Sequence, residues 1–162
     1  MKKGILIIAS FLLASLAIIS CNQGVNTMTD SSVFPKGMQG PKEIFTNTTW
    51  VNMLHTDEQG VFDTQVYDVR FEPAARTFWH SHPGGQILLV TSGTGYYQEK
   101  GKPAQLLKPG DVVAIPPDVV HWHGAAPQSE FVHLGMSTNV HLGPAQWFGP
   151  VTDEEYGEAT AK

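Results

Sequence analysis

Residues 65–93 read QVYDVRFEPAARTFWHSHPGGQILLVTSG, and this stretch decides the fold. Within residues 65–72, apolar and polar residues alternate from Tyr67 to Glu72. Tyr67, Val69 and Phe71 share one face, and Asp68, Arg70 and Glu72 share the other. A period of two is that of a half-buried β-strand. Pro73 ends it, because proline has no N–H to give to a ladder. Residues 77–82 form a second extended run, closed by Pro83-Gly84-Gly85. Residues 86–91 form a third, stopped at Ser92-Gly93.

The same grammar continues outward. Residues 95–99 turn through Lys100-Gly101-Lys102-Pro103 into residues 104–107, and Pro109-Gly110 turns into residues 111–115. After Pro116-Pro117 come residues 119–123 and 130–137. Short strands separated by Gly and Pro predict an all-β sandwich or barrel. The one good helix signal is at the end. Thr152-Asp153-Glu154-Glu155 is a capping box, with Thr152 as N-cap and Glu155 three residues on. One or two helical turns are expected there.

Composition agrees with this reading. The chain has 162 residues, 41% hydrophobic and 15% charged, with 16 Gly and 11 Pro. It is long enough for one domain, and the composition excludes a disordered, fibrous, coiled-coil or polytopic membrane protein. A net charge of −5 leaves no basic stripe for nucleic acid. A single cysteine excludes an internal disulfide and a Cys-rich zinc module.

That cysteine has a context. Lys2 and Lys3 precede a nearly unbroken apolar run over residues 4–19, followed by Ser20-Cys21. The run is short for a membrane span, which takes about 20 apolar residues. The pattern resembles a bacterial lipoprotein signal. The resemblance implies cleavage after residue 20, lipid on Cys21 and a place in the cell envelope. Residues 21–40 are rich in Ser, Thr, Asn, Gly and Gln, and are expected to be a flexible tether. The folded domain is then expected over residues 41–162.

The chemistry-bearing residues lie in two short segments. Residues i and i+2 of a strand point the same way, so His80 and His82 face one side together, as do His121 and His123. Imidazole pairs at this spacing can chelate a metal ion. In a closed sheet with both pairs inward, three or four imidazoles meet. Trp79 and Trp122 alternate with the histidines, so they point outward and are expected to pack. His133 shares a face with Phe131 and Gly135, where a neutral imidazole needs a polar partner. Arg76 and Glu72 are expected to form a surface pair. His55 and His141 are expected at the surface.

These segments resemble the two motifs of the cupin family. In Gly-x5-His-x-His-x3-4-Glu-x6-Gly, His80, His82 and Gly93 match, Gln86 stands at the Glu position and Ala74 at the first Gly. In Gly-x5-Pro-x-Gly-x2-His-x3-Asn, Gly110, Pro116 and His121 match, while Asp118 and Ala125 depart. The resemblance implies a small jelly-roll barrel (a double-stranded β-helix), with its motif core over residues 70–137. Phe71-Glu72-Pro73, Trp79-His80-Ser81-His82-Pro83, Gly85-Gln86, residues 121–127, His133-Leu134 and residues 150–156 are further similar to single-domain bacterial cupins that act as manganese-dependent (R)-hydroxynitrile lyases. That likeness implies metal ligation by His80, His82, Gln86 and His121, and a catalytic role for His133. His123 is a second candidate for proton transfer, or a group that orients a ligand.

Three neutral imidazoles and a neutral amide leave a divalent ion with its full charge, whereas a carboxylate ligand would halve it. Such an ion favours polarising a substrate oxygen over cycling to a higher oxidation state. Manganese is expected on the resemblance, and Fe, Zn, Ni or Co on ligand type alone. Three functions are therefore open. The first is a metal-dependent lyase on a small hydroxylated or carbonyl compound. The others are a metal-dependent dioxygenase and a non-catalytic small-ligand or metal-binding lipoprotein. A small-molecule substrate and a homo-oligomer are the expected partners.

Overall fold

The computed structural model describes residues 33–161. The expected signal, Cys21 and most of the expected tether lie outside the described residues. In chain order the strands are β1 (Met38–Gln39), β2 (Phe45–Thr46), β3 (Thr49–His55), β4 (Thr64–Phe71), β5 (Arg76–Thr77), β6 (Trp79–Ser81) and β7 (Gln86–Gly93). They continue as β8 (Gly95–Glu99), β9 (Gln105–Leu107), β10 (Val112–Ile115), β11 (His121–Ala125), β12 (Phe131–Thr138) and β13 (Gln146–Gly149). The chain closes on helix α1 (Asp153–Thr160). Met38 and Gln39, expected in the tether, pair with Val51 and Trp50, so the sheet starts ahead of Pro41.

Every pairing is antiparallel, and the strands form two curled sheets. One runs β1-β3-β4-β12-β7-β10. The other runs β13-β6-β11-β5-β2, with β8 beside β11 and β9 beside β8. The expected all-β barrel with a short C-terminal helix is what the chain forms. Residues 77–82 do not make one strand. The run breaks at Phe78, whose N–H leaves the ladder to donate to Ile44 O. Strands β1, β2, β3 and β13 carry no strong alternation and were not expected individually.

The alternation of β4 sorts as predicted on one side. Val69 and Phe71 are buried between the sheets with Leu88, Val90, Leu107, Ile115 and Phe131. On the other side Asp68 and Arg70 are also buried. A second apolar cluster lies outside the β6–β11 sheet. There Trp79, Tyr96 and Trp122 meet Val151, Tyr156 and Ala159, the inner face of α1 and the segment before it. The indoles thus pack outward, as their alternation with the histidines requires.

Arg76 is not paired with Glu72. Its guanidinium is buried and donates to Val151 O at 3.0 Å and to Asp153 Oδ1 at 2.7 Å. Glu72 instead accepts from Trp50 Nε1 at 3.0 Å and lies near Lys36. The cause is β5: it turns Arg76 toward the helix, and the partner it finds there is 77 residues away. The helix begins with the predicted capping box. Thr152 Oγ1 accepts from the Glu155 N–H at 3.1 Å, and Glu155 Oε2 accepts from the Thr152 N–H at 2.8 Å.

The two motif positions without their glycine keep the glycine conformation. Ala74 has φ of 63° and Asp118 has φ of 61°. Both sit in the left-handed region that costs an L-residue about 1–2 kcal/mol.

Candidate metal centre

Strand pairing brings the histidine segments together. His121 of β11 is the register partner of His80 on β6, and Gln86 opens β7 directly across the barrel. Among the described residues, His80, His82 and His121 bring one ligating atom each to within 4.8 Å of one another. Their backbones fix which atoms these are. His80 Nδ1 lies 2.9 Å from Phe78 O, and His121 Nδ1 lies 2.9 Å from Val119 O. A carbonyl only accepts, so each Nδ1 carries the proton and each Nε2 keeps a lone pair for the centre. This is the usual way a ligating imidazole is held. His82 Nε2 is buried and has no hydrogen-bond partner within the protein. An orphaned ring nitrogen aimed at two lone pairs fits a divalent cation.

Gln86 reaches the same point. Its Oε1 is 3.0 Å from His121 Nε2, the spacing of neighbouring ligands on one ion held at about 2.1 Å. Its Nε2 donates to Tyr67 Oη at 2.6 Å, which fixes the amide with its oxygen toward the imidazoles. Tyr67 Oη is 3.0 Å from Ser137 Oγ, and Ser137 Oγ is 3.4 Å from His82 Nδ1. A string of polar groups therefore ties Gln86 to His82. Gly135 makes room for it, since a Cβ there would lie 2.1 Å from the Tyr67 ring.

Burial keeps these imidazoles neutral. Desolvation lowers the pKa of His82, His121 and His133 to about 4. It also pushes His80 and His123 well below the ordinary value, helped by the neighbouring histidines. Burial raises the Tyr67 phenol, so its hydroxyl stays protonated.

His123 and His133 form a pair of their own. His133 Nε2 and His123 Nδ1 are 3.2 Å apart, and one proton lies between them. His123 Nε2 and His133 Nδ1 have no partner. The pair abuts the centre: the His123 ring is 5.3 Å from that of His80. His133 thus has the polar partner its apolar face demanded. His141, expected at the surface, is exposed and bonds Asp63.

A cavity of about 360 Å³ opens onto the centre. His80, His82, Gln86, His123, Tyr67 and Ser137 form its polar end, and Phe45, Val51, Met53, Val69 and Trp147 are among its apolar walls. His133 does not line it. Trp147 stacks on His80 at 4.6 Å. Sequence reading passed over Tyr67, Ser137 and Trp147. For the first two a signal existed: Tyr67 is on the inward face of β4, and Ser137 shares the parity of His133 on β12.

Comparison with known proteins agrees with this architecture. The Cupin domain model matches residues 67–134. The chain is 40% identical over 118 residues to an (R)-mandelonitrile lyase of Granulicella tundricola, covering 73% of this chain and 89% of that one. The chain belongs to the cupin family. Among solved structures, a cupin-like protein of Thermotoga maritima is 67% identical to this cupin, with a TM-score of 0.79 over 80% of this chain and 97% of that one. The polyketide cyclase of Streptomyces resistomycificus, 15% identical, shares the fold with a TM-score of 0.58 over 75% of this chain and 85% of its own.

Proposed function

We propose that this cupin is a metal-dependent lyase acting on a small hydroxylated or carbonyl compound. His80, His82, His121 and Gln86 hold one divalent transition ion, manganese in our reading. The observation that carries the proposal is the meeting of two arrangements at one cavity end. One is a set of neutral donors converging on a point; the other is a two-histidine proton path ending beside it. The likeness to an (R)-mandelonitrile lyase supports the reaction class.

A divalent ion in this donor set supplies Lewis acidity toward a substrate oxygen. The protein supplies the rest. His123 faces the cavity and exchanges the proton with substrate at Nε2. His133 lies behind it and receives or returns the proton at Nε2 through His123 Nδ1, so both act, in series. Burial holds both imidazoles neutral, as a general base must be. The apolar walls exclude water and seat the carbon part of the substrate. We further propose that the protein is exported and lipid-anchored through Cys21 in the bacterial envelope, on the residues 2–21 pattern.

The test is metal analysis after purification without chelators, followed by assay of cyanide release from mandelonitrile. Manganese together with cyanide release is expected. Iron with oxygen uptake would move the protein to the dioxygenases. Absence of any metal would leave a ligand-binding lipoprotein.

A further inference from the structure

The string Gln86–Tyr67–Ser137–His82 contains one proton more than it has places for. With the metal reading above, on which this inference rests, His82 Nε2 is a ligand and its proton is on Nδ1. Of the two Gln86 amide hydrogens one points along the string, so the hydrogens in play are that one, the His82 Nδ1–H and the two hydroxyl hydrogens. Three contacts join the groups, at 2.6, 3.0 and 3.4 Å. Gln86 must donate to Tyr67, and His82 must donate to Ser137. Only one bond remains, between the two hydroxyls, and it takes one hydrogen. The other hydroxyl hydrogen has no acceptor in the string. Both Tyr67 and Ser137 line the cavity.

We propose that this surplus hydroxyl hydrogen is a substrate-recognition donor. It faces a second acceptor on the substrate, a carbonyl, carboxylate or nitrile beside the oxygen held at the metal centre. The substrate class is thus a compound with two adjacent polar groups rather than a simple alcohol or aldehyde. The donor is neutral and fixed. Tyr67 is held by Gln86 on one side and by the space over Gly135 on the other, so little ordering is needed on binding. The count also predicts redundancy. Without the serine hydroxyl, Tyr67 keeps a free hydrogen. Without the tyrosine hydroxyl, Ser137 keeps one. Only loss of both removes the hydroxyl donor.

The experiment is calorimetric titration of the manganese-loaded protein with two probes that both carry a hydroxyl, 2-hydroxyacetophenone and 2-phenylethanol. They differ in the second acceptor. Wild-type protein should prefer the ketone by about 5–10-fold, the worth of one net hydrogen bond. Tyr67→Phe and Ser137→Ala should each retain much of that preference, and the double variant should lose it. Metal content and circular dichroism of each variant are measured alongside. A metal-loaded, folded double variant that keeps the preference overturns the inference and assigns it to chelation by the probe or to the Gln86 amide hydrogens. A single variant that abolishes it overturns the redundancy on which the count depends. Equal affinity of the wild type for the two probes overturns the inference without any variant. A wild-type protein that takes up no metal overturns the metal reading, and the proton count with it.

Discussion

His123 stands between His133 and the cavity, with His133 Nε2 3.2 Å from His123 Nδ1. This order assigns different consequences to the two residues. His123→Ala removes the group that meets substrate and should lower activity by about 10²–10⁴-fold, the range of a general acid–base group. His133→Ala leaves that group in place but cuts the far end of its proton path. Its loss should be smaller, with metal content unchanged in both. Activity on mandelonitrile and metal analysis of the two variants check this. A larger loss for His133→Ala than for His123→Ala would reverse the order.

The ligand set yields its own expectation. A His80→Ala, His121→Ala double variant should retain little metal, because the remaining donors do not close a site. Gln86→Glu should keep the ion and bind it more tightly, since it adds an anionic oxygen at the same place. It should also weaken the lyase reaction by lowering the charge on the ion. Metal titration and turnover measured on the same preparations separate the two effects.

The buried histidines make the metal-free protein acid-sensitive. His82, His121 and His133 titrate near 4 when folded, and His80 and His123 lie low for the same cause, desolvation. An unfolded histidine titrates near 6.5. Between these values the unfolded chain binds protons that the folded chain does not, so stability rises with pH across that window. The contribution is complete above about pH 6.5 and is lost as pH falls toward 4. Melting temperatures of metal-free protein from pH 7.5 to 4.5 should fall steadily below 6.5. A flat profile there would mean that the imidazoles are solvated.

The fold was legible because the informative residues are local. The alternation at residues 67–72 and the turns after it name the strands without reference to anything distant. The histidine pairs were legible for the same reason: i, i+2 parity on one strand needs no partner. Arg76 was misread because its partner, Asp153, is 77 residues away and belongs to a helix packed on the outside of the barrel. The burial of Asp68 and Arg70 was not legible, because alternation reports only which residues share a face and not what packs over the polar one. Strands of two residues, such as Met38–Gln39 and Phe45–Thr46, are too short to show a period at all.

Location is tested at one atom. If Cys21 carries lipid, Cys21→Ala should abolish labelling by radioactive palmitate and release the protein from the membrane fraction. Two acyl chains give firm anchoring where one does not. Labelling that persists in the variant would show that the lipid is elsewhere, and soluble wild-type protein would show that there is none.

Asp118 offers a test of how the turn before β11 holds the centre. Its side chain is exposed, and substitutions at exposed positions usually change stability by less than about 0.5 kcal/mol. Here the backbone decides instead. At φ of 61° the Asp118 N–H donates to His82 O at 3.0 Å, so the turn that leads into His121 is pinned to the backbone of His82. Asp tolerates this conformation and Gly adopts it freely, whereas a β-branched residue does not. Asp118→Gly should therefore leave stability and metal uptake unchanged or slightly raised. Asp118→Val should cost about 1–3 kcal/mol, the range for a residue forced into a sparsely populated backbone region. It should also weaken metal binding, because relaxing the turn moves His82 relative to His121. Thermal unfolding of the metal-free variants measures the first effect, and metal affinity at a temperature where all are folded measures the second. A valine variant as stable as wild type would show that the turn does not need its left-handed residue. One that is destabilised but binds metal normally would uncouple the turn from the centre.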